Sequence, residues 1–174
     1  MPKTVAELIA DALNPIKLKI LVFGPDVKII SQDERTRNLQ HKRNEIRLAL
    51  ENDGHEVKYA EDLVDPSLMG PQANAIFQEL VIMAEYDLIV NLVGSPGSIV
   101  EATLSATRPR LAQKTALYLD QDHISGLVGS ACELARTLGA HFRTFKYPED
   151  LVECHLLGHV ASRAAAVKLA KYLL

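Results

Sequence analysis

What this chain lacks narrows its function before any motif does. It has only two cysteines, Cys132 and Cys154, too few and too far apart for a disulfide framework or a zinc knuckle. They read as reduced packing residues of a cytosolic protein. Basic charge is short as well: 19 Lys and Arg stand against 22 Asp and Glu, for a net charge of −3. A nucleic-acid partner is therefore not expected, since phosphate contacts need a basic surface. No run approaches the roughly 18 consecutive apolar residues of a membrane span. Met1 to Asn14 carries Glu7 and Asp11 inside an amphipathic pattern and reads as a short helix, not an export signal. The expectation is a cytoplasmic protein with no membrane partner.

Repeats, low-complexity tracts and Ser/Gly linkers are missing too, so residues 1–174 read as one α/β domain, with 1–16 as an N-terminal helix and lead-in. Within it, β-rich apolar runs alternate with helical periodicity. Lys17 to Phe23, His55 to Ala60, Asp87 to Val93, Lys114 to Leu119 and His141 to Tyr147 read as strands. Between them, residues 35–52, 71–85, 98–107 and 124–138 carry helical spacing, and a final helix runs from about Leu151 or His155 to Leu174. Pro71 fits the first turn of the second of these helices, with Ala73, Ile76, Leu80 and Met83 on one face. The polar stretch Val27 to Arg37 reads as a loop over the top of the sheet, a candidate lid.

This alternation predicts a single doubly wound, mostly parallel five-stranded sheet in a flavodoxin- or Rossmann-like three-layer sandwich, strand order 2-1-3-4-5. In such sheets ligands bind beyond the carboxyl ends of the strands, where the order reverses. Two glycine-bearing turns end there: Gly24-Pro25-Asp26 after the first strand, and Gly94-Ser95-Pro96-Gly97-Ser98 after the third.

The second turn has no Lys after Gly97-Ser98, so it is not a triphosphate loop; with no Gly-x-Gly-x-x-Gly after the first strand, a dinucleotide site is excluded as well. A Gly-x-Ser-x-Gly elbow is also absent. What remains is a small anion-accepting nest at a helix N-terminus, with Ser95 and Ser98 nearby. Glu101 follows three residues later. It is either a reacting carboxylate or the partner of Ser98 in a capping box, and both readings stand on spacing. A helix N-terminus also predicts a lowered pKa, suiting a nucleophile or a stabiliser of positive charge.

Arg43 interrupts the apolar stripe of Leu39, Ile46 and Leu50 early in the helix after strand one. It would orient a phosphate or carboxylate, or else snorkel, or pair with Glu45 or Glu79. His155 and His159 have an i, i+4 spacing, but Arg163 continues their stripe and would repel a cation, so no metal and no cofactor are expected.

Leu21-Val22-Phe23-Gly24-Pro25, and Tyr86 to Leu92 followed by Gly97-Ser98-x-x-Glu101, resemble the two blocks of the nucleoside 2-deoxyribosyltransferase-like proteins, which are related to lysine-decarboxylase-like nucleotide-binding proteins. The resemblance spans about residues 18–120. It implies that Glu101 attacks or stabilises C1′ of a nucleoside or nucleotide while Gly24, Pro25, Asp26, Arg43, Asn91, Gly94, Ser95, Gly97 and Ser98 hold the substrate. The family often has an aspartate just after the third strand. Here that turn has none, which leaves Asp26, Asp62 or a second subunit to protonate the base. The implied function is N-glycosidic hydrolysis or transfer, with a non-catalytic nucleotide sensor as the alternative. Homo-oligomerisation is compatible with the apolar 124–138 helix and the alanine-rich final one.

Overall fold

The computed structural model describes residues 3–68, 74–153 and 155–174. Five strands, β1 (Lys19–Phe23), β2 (Glu56–Tyr59), β3 (Leu88–Val93), β4 (Thr115–Asp120) and β5 (His141–Phe145), form one sheet in the order β2-β1-β3-β4-β5. Every pairing is parallel, so the expectation of a mostly parallel sheet is exceeded. The helices are α1 (Val5–Leu13), α2 (Glu34–Asn52), α3 (Ala75–Glu85), α4 (Pro96–Ala106), α5 (Pro109–Ala112), α6 (Leu127–Thr137), α7 (Glu149–Val152) and α8 (His155–Leu173).

The crossovers between parallel strands place helices on both faces. Leu39, Ile46 and Leu50 of α2 and Leu156, Val160 and Ala164 of α8 pack with Ile20, Val22, Val90 and Tyr118 on one side. Ala102 and Ala106 of α4 and Cys132 and Ala135 of α6 pack with Val93, Leu117 and Leu119 on the other. Met83 of α3 joins Leu21, Phe23 and Ile89 on the α4 side. The result is the three-layer α/β sandwich. All six residues of β3 are buried, as a continuous apolar run at the centre of a parallel sheet requires.

Element boundaries differ where capping chemistry outweighs apolar spacing. α2 begins at Glu34 because Asp33 caps the Thr36 amide, which shortens the expected 27–37 loop. α4 begins at Pro96, two residues ahead of the expected Ser98, because proline suits a first helical position. Pro109 opens α5 as well as ending what precedes it. The 124–138 helix starts only at Leu127, after a 3-10 turn over Gln121–His123. α3 starts at Ala75, capped by Asn74; Pro71 and Ala73 lie outside the described residues, as does Cys154. The final helical stretch is two pieces, α7 and α8. Among the described residues, no helix is long and apolar enough to cross a membrane.

Candidate functional site: a buried carboxyl at the strand-order reversal

β1 and β3 lie side by side, Phe23 opposite Asn91, so the two glycine-bearing turns meet at one edge. Arg43 reaches into this junction from α2 and is fully buried. Its Nη1 donates to the carbonyls of Gly24 (3.2 Å) and Pro25 (2.9 Å), and its Nη2 to that of Val22 (2.6 Å). The same two nitrogens grip Glu61 at 2.7 and 2.6 Å, and the guanidinium lies 4.4 Å from the Tyr59 ring centroid. Arg43 therefore neither snorkels nor pairs with Glu45 or Glu79. Its hydrogen-bonding groups are committed to the protein apart from Nε, which is buried without a partner.

Gly24 makes this approach geometrically feasible. Its φ of +149° is one that side chains rarely adopt, and a Cβ there would lie 3.1 Å from Arg43 Cδ. Pro25 contributes its carbonyl to Arg43, whereas Asp26 is exposed and steadies its own loop by accepting from the Lys28 amide at 2.8 Å. Asp62, the other sequence candidate for a proton donor, is paired with Lys28 at 2.7 Å.

The turn after β3 is internally wired. Ser98 Oγ accepts from the amides of Gly94 (2.9 Å) and Ser95 (2.8 Å) and donates to the Ser95 carbonyl (2.9 Å). Those amides are thus occupied by protein, a correction to the open nest that small residues suggest. Ser95 caps α4, accepting from the Ser98 amide at 3.2 Å, and Ser98 completes the capping box. The expected box of Ser98 with Glu101 is not formed; Pro96 at the first helical position moves the cap to Ser95. Gly94 admits Leu39, whose Cδ1 would lie 2.6 Å from a Cβ there. Asn91 donates to the Ser98 carbonyl at 2.9 Å, and its Oδ1 is buried without a partner.

Glu101, relieved of capping, is 8% exposed, and its Oε2 is buried with no hydrogen-bond partner. The Oε1 atom lies 3.7 Å from where a Cβ on Gly97 would stand. Burial and the negative charges of Glu79 and Glu61 push the Glu101 carboxyl up to about 8, against the opposing pull of Arg43. The lowering expected from the helix N-terminus is overturned, because desolvation of an unbonded carboxylate outweighs a dipole. At neutral pH Glu101 carries a proton. Glu79, from α3, is itself raised by burial.

Sequence reasoning missed Glu61 and Glu79 as parts of this site. Glu61 had a signal: it follows β2, the neighbour of β1, at the same carboxyl edge. Glu79 enters the sequence reading only as a candidate ion partner of Arg43, with no local sign that it approaches Glu101. A second charged group stands at the end of β4, where Arg35 pairs with buried Asp120 and stacks on Tyr147 with its Cζ 4.9 Å from the ring centroid. His123 lies next to this group in the 3-10 turn capped by Asp120. Among the described residues, no group of three or more His, Cys, Asp or Glu is arranged to hold a metal ion.

Fold and site together define a doubly wound α/β protein with a protonated glutamate at its strand-order reversal. No protein-family model matches the chain, and no curated protein matches it significantly.

Proposed function

We propose that this protein cleaves or transfers the N-glycosidic bond of a small nucleoside or nucleotide, with Glu101 as the reacting group. One observation carries the reading: a buried carboxyl with no hydrogen-bond partner, pushed toward its protonated form by burial and by Glu79 and Glu61, stands where α/β sheets bind ligands. The resemblance of the two turns to the nucleoside 2-deoxyribosyltransferase-like proteins supports the same chemistry.

The protonation state sets the order of events. Glu101 gives its proton to the leaving base as the C1′–N bond breaks and the bonding pair departs with the base. The carboxylate so formed then faces the positive charge developing at C1′, where a fixed negative group is most effective. Water, or the ring nitrogen of a second base, adds to C1′ and returns a proton to Glu101. Glu79 and Glu61 keep the local potential negative throughout, and Arg43 holds the turn after β1 in place through its carbonyl contacts.

A chromatographic screen of common nucleosides and nucleotides for released base, run on wild type and Glu101→Gln, tests this. Wild type is expected to release base, and Glu101→Gln to fold and bind but not turn over. Release of no base from any of them overturns the proposal.

A second reading, a nucleotide sensor without turnover, draws on the internal wiring of Arg43, Gly94 and Ser95, which leaves few groups to grip a reacting substrate. It predicts binding without turnover in both forms and a modest change in affinity. Homo-oligomerisation belongs with either reading, because Leu127 and Leu134 of α6 are exposed apolar residues that a second copy would cover. Cytoplasmic residence also accompanies both.

A further inference from the structure

Away from the crevice, basic side chains collect on β5 and α8. β5 is an edge strand, and its register with β4 sets His141 opposite Ala116 and Arg143 opposite Tyr118. Ala116 and Tyr118 face the layer that contains Leu156, Val160 and Ala164 of α8, so His141 and Arg143 face it too. From α8, His159 and Arg163 arrive on one helical stripe. Arg143 Nη1 lies 3.3 Å from Nδ1 and 3.4 Å from Nε2 of His159. The Tyr118 ring meets His141 edge-on, centroids 6.2 Å apart.

Two further observations single out this cluster. The Tyr118 hydroxyl, on a fully buried side chain, has no hydrogen-bond partner, and neither has the buried Nε of Arg163. Among the described residues, the hydrogen bond of Arg163 is from Nη2 to the Gln113 carbonyl at 3.1 Å. Second, the charges are of one sign. His141 is held below its ordinary value by burial and then by Arg163, Arg143 and His159, with no carboxylate acting the other way. The acids nearby in sequence are turned elsewhere: Asp150 lies 3.2 Å from His155, and Glu153 4.0 Å from it.

Four basic groups beside an unspent hydroxyl donor, with no acid among them, are unfavourable alone and complementary to a compact anion with several acceptor oxygens. We propose that Arg143, Arg163, His141 and His159, together with the Tyr118 hydroxyl, form a binding site for a phosphate group, as free phosphate or as a phosphomonoester. The stripe of His155, His159 and Arg163 that speaks against a metal cation thus suits an anion. None of these residues belongs to the Glu101 crevice, so the proposal stands apart from the proposed activity.

The test is a titration of the full chain with inorganic phosphate, methyl phosphate or potassium chloride at matched ionic strength, following the imidazole resonances of His141 and His159 by NMR. Saturable changes in both imidazole resonances, with an upward move of the His141 midpoint, are expected with a phosphate compound and not with chloride. At least a tenfold loss of affinity is expected in Arg143→Gln, whose exposed side chain can change without unfolding the sheet; its melting temperature in chloride checks that. Arg143→Lys should retain part of the affinity, and Glu101→Gln all of it. Tighter binding of orthophosphate assigns the free ion, and tighter binding of methyl phosphate assigns an ester. Equal responses to phosphate and chloride, or undiminished binding in Arg143→Gln, overturn the proposal and leave the basic side chains as guards against edge-to-edge pairing of β5.

Discussion

Arg43 and Glu61 meet as a bidentate ion pair across the end of the sheet, with Nη1 to Oε1 at 2.7 Å and Nη2 to Oε2 at 2.6 Å. Glu61 is the more exposed partner, whereas Arg43 also satisfies three backbone carbonyls. The two are therefore unequal. Arg43→Ala should cost about 3–5 kcal/mol, because it strands those carbonyls along with the carboxylate. Glu61→Gln should cost about 1–2 kcal/mol, since the arginine keeps its carbonyl contacts. Equilibrium urea unfolding of both variants checks the ranking, and equal losses would contradict it.

Stability should depend on pH through Glu101. Its folded value of about 8 lies above the ordinary 4.5. Between those values the folded protein retains a proton that the unfolded chain has lost. Stability therefore falls as pH rises through this window and levels off above it, by a span on the order of 5 kcal/mol. Glu101→Gln should flatten the slope and be more stable than wild type at pH 9. Melting temperatures from pH 5 to 9 measure both, and parallel profiles for the two proteins would refute the assignment.

Base release, if Glu101 donates the proton, should decline as pH passes about 8. A kcat/KM profile on any substrate found by the screen would locate that limb. A rate that rises through pH 8 would make the ionised form the active one.

Gly94 is packed against α2 so closely that no side chain fits without movement: an added Cβ would stand 2.6 Å from Leu39 Cδ1. Gly94→Ala should destabilise by about 1–3 kcal/mol. In a Leu39→Ala background the same change should cost less, giving a coupling of about 1 kcal/mol or more in a double-mutant cycle. Strict additivity would mean the two sites do not touch.

Ser98 and Ser95 can be ranked by what each hydroxyl satisfies. Ser98 is fully buried and serves two amides and a carbonyl. Ser98→Ala should cost about 2–3 kcal/mol, more than the roughly 1 kcal/mol of losing the Ser95 cap. Chemical denaturation separates the two, and the reverse order would contradict the wiring.

Much of the fold is legible in sequence because periodicity and burial coincide in this chain. Asp87 to Val93 could only be a strand covered on both faces, and the alternation of elements dictated a parallel sheet whose reversal falls between β1 and β3. Local competition was harder to read. Ser95 and Ser98 both precede a helix and both can cap. Pro96 at the first helical position decides between them in favour of Ser95. The ionisation of Glu101 is not legible in sequence because a helix dipole is a property of spacing, whereas desolvation depends on segments brought together by the fold. Glu61 and Glu79 enter the site only through tertiary packing, so no local motif marks them.

The N-terminal helix shows where this architecture is weakest. α1 has its own capping box between Thr4 and Glu7, yet none of its residues is buried, and Val5, Leu8, Ile9 and Leu13 share a cleft with Leu169 and Tyr172 of α8. Detaching it exposes little apolar surface and breaks no sheet hydrogen bond. Its amides are expected to exchange with solvent at a free-energy cost well below that of global unfolding, and those of β3 only when the whole sheet opens. A protease acting on the native protein would meet that helix long before it met the crevice.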